Sequence, residues 1–196
     1  MDSILSKIET LYASKDFSEA AELVESYAQS LSHIPRFYIF ANLIFRSLGK
    51  YSQALSYSRN LFLQFPDHFD GYRKYSEDLC FQGNYLEAIR VSLLGLSVHP
   101  ENKWIILSAI NAFNFAENFD SVITYGEFLL KLYPDTLPAY KPLAIGYLKK
   151  SEFKKALQIL KEGLKIFKAP LHFLKDSFDI YLSAKDYDGY IQFLFF

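Results

Sequence analysis

Residues 72–100 read YRKYSEDLCFQGNYLEAIRVSLLGLSVHP, and this stretch decides the fold. Tyr72, Tyr75 and Leu79 recur at helical spacing until Gly83-Asn84 interrupts them. Tyr85, Ala88, Ile89, Ser92 and Leu96 then resume the period, and Pro100 stops it. The reading is a helix, a tight turn and a second helix. One such hairpin cannot bury its own apolar faces, so it predicts neighbours of its own kind.

The rest of the chain supplies them. Steps of 34 residues from Tyr85 reach Phe17, Tyr51, Phe119, Phe153 and Tyr187, so all six positions are aromatic. With 18% aromatic residues, that column arises by chance on the order of 3 times in 100,000, or about once in a thousand over all registers. Three residues later stand Ala20, Ala54, Ala88, Val122, Ala156 and Tyr190. A small side chain there lets helices approach closely. Pro66, Pro100 and Pro134 recur at the same interval, with Ser32 and Lys168 in the outer slots, and a proline cannot continue the preceding helix.

On these residues the chain resembles the tetratricopeptide repeat (TPR) family, whose 34-residue unit alternates aromatic, small, alanine and proline positions. In the third unit the pattern falls on Tyr72, Tyr75, Ser76, Leu79, Gly83, Tyr85, Ala88, Gly95 and Pro100; in the second it falls on Tyr38, Ala41, Phe45, Gly49, Tyr51, Ala54 and Pro66. The resemblance implies an all-α fold, a right-handed α-solenoid of stacked antiparallel helix pairs. It implies a single array over 1–196, with units at about 1–34, 35–68, 69–102, 103–136, 137–170 and a partial 171–196. The fourth unit departs most, placing Ile110 and Val122 where the family prefers small residues, and a locally wider helix pair is expected there.

Composition agrees. A chain of 196 residues with 51% hydrophobic content has ample material for a core. A net charge of −1 gives no basic face of the kind nucleic acid requires. The single cysteine, Cys80, excludes an intrachain disulfide framework and a cysteine-based zinc site, and fits a reducing, cytoplasmic setting. Residues 1–14 lack the basic start and unbroken apolar run of a signal peptide, so none is expected, and no run of 18 apolar residues could span a membrane.

Along the chain, Asp2 or Ser3 is expected to cap the first helix, whose stripe is Ile4, Ile8 and Leu11, and the second helix is expected from Phe17 to about Leu31. Gly49 and Gly83 stand where a helix C-terminus needs a left-handed residue. The loops at 66–70 and 100–104 place acidic or amide groups near the next helix start, and Thr136 is expected to cap the helix that carries Pro138 and Pro142. The three phenylalanines within residues 193–196 read as an unshielded apolar end, either a truncated array or a self-association face.

No catalytic grouping emerges. His33, His68, His99 and His172 are roughly one or two units apart at the connections, so no pair has metal-ligand spacing. Phosphate-cradling and nucleophile-elbow motifs are missing. Carboxylates such as Glu19, Glu22 and Glu25 read as solvated helix faces. No enzyme activity, metal or cofactor is expected.

Function then rests on surface. In TPR arrays the first helix of each unit lines a groove that holds a peptide or a helix. The resemblance places Arg36, Ile39, Phe40 and Leu43 in that groove from the second unit, Asp70, Arg73, Lys74 and Glu77 from the third, and Trp104, Leu107, Asn111 and Phe115 from the fourth. Trp104 is of a type enriched at binding hot spots, although Phe40, Trp104 and Phe115 could equally serve helix packing. Chaperone-tail binders of the family use a two-carboxylate clamp of lysines, asparagines and an arginine. Here those slots carry Ile39 and Leu43, then Lys74, then Trp104 and Ser108, so the clamp is absent and a chaperone tail is disfavoured. The leading expectation is a scaffold for a protein or peptide partner. The alternative is the non-catalytic TPR region of a larger bacterial enzyme, such as a cell-surface polysaccharide glycosyltransferase or sulfotransferase.

Overall fold

The computed structural model describes residues 2–167 together with 175, 180–183 and 185. In chain order its helices are α1 (Asp2–Ser14), α2 (Phe17–Tyr27), α3 (Pro35–Ser47), α4 (Tyr51–Gln64), α5 (Phe69–Phe81), α6 (Tyr85–Val98), α7 (Lys103–Phe115), α8 (Phe119–Leu132), α9 (Leu137–Lys149) and α10 (Phe153–Phe167). No strand occurs among the described residues. The aromatic column has a structural meaning: Phe17, Tyr51, Tyr85, Phe119 and Phe153 are the first residues of the five even-numbered helices.

The turn before each of those residues is the same. Gly49 and Gly83 have φ of 71° and 78°, as their glycines suggested, yet Lys15, Glu117, Ser151 and Lys185 repeat the conformation with φ of 68°, 55°, 60° and 58°. A non-glycine residue is strained there by roughly 1 kcal/mol. The turn's hydrogen bonds compensate. The amide one residue past the left-handed position donates back to the preceding helix at the five turns that lead into α2, α4, α6, α8 and α10: Asp16 to Leu11, Lys50 to Phe45, Asn84 to Leu79, Asn118 to Phe113 and Glu152 to Tyr147, all at 2.8–2.9 Å. That closes the orphan carbonyls at each helix end.

The chain divides into two compact units, one up to Ile105 and the other from Ile106 onward. In the first, α1 packs on α2, α3 on α4 and α5 on α6, while α2 also meets α3 and α4 meets α5. Ile8, Val24, Phe37, Ile44, Phe45 and Leu61 are among its fully buried apolar side chains, and the small column is fully buried at Ala20, Ala54 and Ala88. Side chains of the odd-numbered helices bond that column's carbonyls. Asn42 Nδ2 donates to Ala54 O at 3.0 Å, and one repeat later Ser76 Oγ donates to Ala88 O at 3.0 Å.

In the second unit α8 packs on α9 and α9 on α10, and Phe113 of α7 stacks on Tyr125 of α8 at 5.4 Å between ring centroids. The position equivalent to Asn42 and Ser76 is here Ile110, fully buried like Val122. The polar link of the earlier hairpins is thus exchanged for apolar contact. The bulk of Val122 is accommodated by α9: a Cβ on Gly146 would lie 3.2 Å from Val122 Cγ1 and 3.1 Å from Ile123 Cγ1. A hydroxyl contact is repeated within each unit, Tyr72 donating to Pro66 O at 2.7 Å in the first and Tyr140 to Pro134 O at 2.9 Å in the second.

Three local expectations are corrected. α2 ends at Tyr27, short of the expected Leu31, and the chain continues in a turn where the Leu31 amide and the Ser30 hydroxyl both donate to the Tyr27 carbonyl. Asp2 and Ser3 lie inside α1. Thr136 precedes α9 but makes no capping bond, and its buried hydroxyl has no partner. Elsewhere the capping expectation holds, with Asn102 Oδ1 accepting from the amides of Trp104 and Ile105 at 3.0 and 3.2 Å. At the preceding connection the cap is the His68 imidazole, which accepts from the Asp70 amide at 3.3 Å. The phenylalanines of 193–196, His172, Tyr187 and Tyr190 lie outside the described residues.

Candidate functional site

In the first unit, α3 and α5 carry a buried polar network along the faces where the groove is expected. Asp78, at 4% exposure, is its acceptor. Its Oδ2 takes hydrogen bonds from Asn42 Nδ2 at 2.5 Å and Ser58 Oγ at 2.6 Å, and its Oδ1 takes one from an Arg46 guanidinium nitrogen at 3.1 Å. Burial pushes the Asp78 carboxyl above its ordinary range, opposed by the Ser58 bond and the Arg46 charge. Arg46 also meets Glu77 at 3.4 Å and lies 4.5 Å over the Phe81 ring, which in turn stacks on Tyr51. One turn away, Arg73 closes on Asp70 at 2.6 Å and on Glu77 at 3.0 Å, an arrangement that suits the arginine fork.

Lys74 is different. It is 2% exposed, and among the described residues its ammonium meets Asn42 Oδ1 alone, at a long 3.4 Å. Desolvation, with the nearby Arg73 charge next, lowers its pKa to about 8. Cys80, buried beside the network, has its thiol pushed up to about 11 by the same burial and is an inert core residue.

Two concavities border this network. A cleft of about 480 Å³ runs over Tyr12 of α1, Ile39, Leu43 and Arg46 of α3, and Arg73, Lys74 and Glu77 of α5. A second, of about 340 Å³, is lined by Phe69, Asp70, Arg73 and Trp104. Arg73 lines both.

Of the expected groove residues, the structure brings Ile39, Leu43, Arg73, Lys74 and Glu77 together in the first cleft and Asp70, Arg73 and Trp104 in the second. Trp104 is 46% exposed with the Lys103 ammonium 5.2 Å over its ring, so it is not a packed core residue. Arg36 is exposed and paired with Glu9 at 2.6 Å. Phe40 is half-buried, its ring 5.7 Å from that of Tyr12, and so serves packing between α1 and α3. Leu107, Asn111 and Phe115 fall in the second unit. There Leu107 is a buried core residue, Asn111 is half-buried and Phe115 is exposed.

Sequence reasoning missed Tyr12, Arg46, Asn42, Asp78 and Phe69. A signal was there: Tyr12 and Arg46 stand 34 residues apart, in a column one helical turn beyond Leu43, and both line the first cleft.

No protein-family model and no curated protein sequence matches the chain. Solved structures do. PilW, a widely conserved type IV pilus biogenesis factor, superposes with a TM-score of 0.84 at 16% identity over 97% of this chain and 89% of that one. A thermophilic TPR protein of Thermus thermophilus gives 0.72 at 20% identity over 92% and 98%. The chain has the tetratricopeptide-repeat fold. YrrB, described as a TPR protein with an unusual peptide-binding site, gives 0.69 at 12% identity over 88% and 89%. The TPR pairs of this chain are thus α1/α2, α3/α4, α5/α6, α7/α8 and α9/α10. No helix among the described residues is long and apolar enough to cross a membrane, and no group of three His, Cys, Asp or Glu among them could hold a metal ion.

Proposed function

We propose that this chain is a protein-interaction scaffold that holds an extended segment of a partner protein along α1, α3, α5 and the start of α7. The observation that carries this reading is the pair of adjoining clefts on either side of Arg73, built by side chains from four successive odd-numbered helices. A surface continuous over several helices, apolar at Ile39, Leu43 and Trp104 and charged between them, has the composition of a recognition site, with an aromatic anchor and arginine. That YrrB has a peptide-binding site supports the class of ligand. A cytoplasmic location is part of the proposal.

The test is site-specific photo-crosslinking in the source cells, with the reactive side chain at Leu43 or Trp104 and, as controls, at Gln53 or Arg90 on even-numbered helices. A discrete adduct from the first two positions and none from the controls is expected. Adducts from the controls alone would place the working surface on the opposite helices. Trp104→Ala and Arg73→Glu should weaken capture of the crosslinked partner at least tenfold while leaving the helical circular dichroism unchanged.

A further inference from the structure

Lys74 is a buried cation on the wall of an open cleft, with no carboxylate bonded to it among the described residues. Three carboxylates stand near it, and all three are committed elsewhere: both Asp78 oxygens to Asn42, Ser58 and Arg46, the two Glu77 oxygens to Arg73 and Arg46, and Asp70 Oδ1 twice to Arg73. Among the described residues none comes within 4 Å of the Lys74 ammonium. A desolvated ammonium costs free energy unless it is paired and hydrogen-bonded, and here Asn42 Oδ1 is the one acceptor among the described residues for its three N–H groups. Its neighbours Arg73 and Arg46 oppose its charge and Glu77 and Asp70 favour it from a distance. What Lys74 lacks is a carboxylate in direct contact.

The surroundings say where in a ligand that group sits. On one side of Lys74 the cleft continues over Leu43, Ile39 and Tyr12 of α3 and α1. On the other, past Arg73, lies the pocket between Phe69 and Trp104. Apolar footholds on both sides call for chain on both sides of the charge, which a terminal carboxylate does not have.

Building on the groove reading, we infer that the partner segment presents an internal aspartate or glutamate to the Lys74 ammonium and a large apolar side chain to the Phe69–Trp104 pocket across Arg73. The acid completes a charge-assisted hydrogen bond in a low-dielectric setting, and burial of the apolar side chain supplies most of the affinity. Arg73, held by Asp70 and Glu77, separates the two subsites and sets the spacing between the two ligand residues. The lowered basicity of Lys74 agrees with an empty anion subsite, since a bound carboxylate would restore it.

The probe is a phage library of random linear peptides about 12 residues long, panned against the full chain and against its Lys74→Met and Trp104→Ala variants, with thermal unfolding confirming that each variant is folded. Peptides selected on the wild type should share an internal Asp or Glu at constant spacing from a Leu, Phe, Tyr or Trp. Panning on K74M should lose the acidic position and keep the apolar one, and panning on W104A should do the reverse. In a synthetic consensus peptide, Asp→Asn or Glu→Gln should weaken binding to the wild type at least tenfold and binding to K74M less than twofold. A consensus without an acidic position, or one that survives unchanged on K74M, overturns this inference and leaves the scaffold reading standing. No enriched peptide on any of the three proteins overturns both.

Discussion

Asn42 of α3 and Asp78 of α5 are joined by a 2.5 Å hydrogen bond between side chains buried to 0% and 4% exposure. The bond ties two neighbouring TPR hairpins together, and Ser58 of α4 and Arg46 of α3 converge on the same carboxylate. Asp78→Ala removes the acceptor that Asn42, Ser58 and Arg46 share and leaves them Ala54 O, Leu55 O and Glu77, so a loss of about 1–3 kcal/mol is expected. In a double-mutant cycle read by urea denaturation, Asn42→Ala and Asp78→Ala should be coupled by about 1 kcal/mol or more. Additive losses would mean that the two hairpins do not depend on this contact.

The left-handed turns give opposite predictions for glycine. Glu117 and Ser151 take φ of 55° and 60° where Gly83 takes 78°. Glu117→Gly and Ser151→Gly are expected to gain up to about 1 kcal/mol by relieving the strained backbone, and Gly83→Ala to lose about as much. A Cβ at Gly83 meets nothing within 4 Å, so any loss there reports conformation alone. Thermal midpoints of the three variants check this, and a stabilised Gly83→Ala would contradict it.

These turns show where the sequence was legible. The aromatic column, the buried alanines and the two turn glycines carry chemical constraints a reader can count, and helix starts followed from them at Tyr51, Tyr85, Phe119 and Phe153. Lys15, Glu117 and Ser151 hid the same turn, because their side chains disfavour the backbone they adopt and only the hydrogen bonds of the finished helix end hold it. Ile39, Leu43, Arg73 and Trp104 were legible as residues sharing the face of the odd-numbered helices, and they line the two clefts. The burial of Lys74 was not, because it depends on Asn42 of another helix and on two arginines that claim the nearby carboxylates. α2 was read too long because residues 28–31 look, in sequence, like a continuing helix.

Close helix contact at Gly71 should be less forgiving than at Gly95. A Cβ on Gly71 would come 2.9 Å from Phe62 Cα and 3.1 Å from its amide nitrogen, both backbone atoms of α4. Neither can move without shifting the α4–α5 contact, so Gly71→Ala is expected to cost about 2–3 kcal/mol. At Gly95 the obstruction is the Tyr72 side chain at 2.8 Å and Ile105 Cγ2 at 3.1 Å. The Tyr72 hydroxyl is anchored on Pro66 O, so the ring yields only by losing that bond, and a smaller cost of about 1–2 kcal/mol is expected. Equal unfolding midpoints for Gly71→Ala and the wild type would show that α4 and α5 can separate freely.

Replacing Lys74 should stabilise the unliganded protein in a pH-dependent way. Its folded pKa is lowered to about 8, below the ordinary 10.5, by desolvation first and by Arg73 and Arg46, with Glu77 and Asp70 acting in the opposite sense. Below about pH 8 the lysine is charged in both states, and the folded chain bears the whole cost of burying it. As pH rises from 8 towards 10.5 the folded state has released the proton while the unfolded state retains it, so the cost fades and the wild type gains stability over that window. Lys74→Met is therefore expected to raise stability at about pH 7 by up to about 3 kcal/mol, an advantage that shrinks by about pH 10. Paired urea unfolding of wild type and K74M at about pH 7, 9 and 10 isolates this group, since tyrosines titrating in the same range are common to both chains. A difference that stays constant with pH would show that the ammonium is solvated in the folded protein, and the anion subsite proposed around it would lose its physical basis.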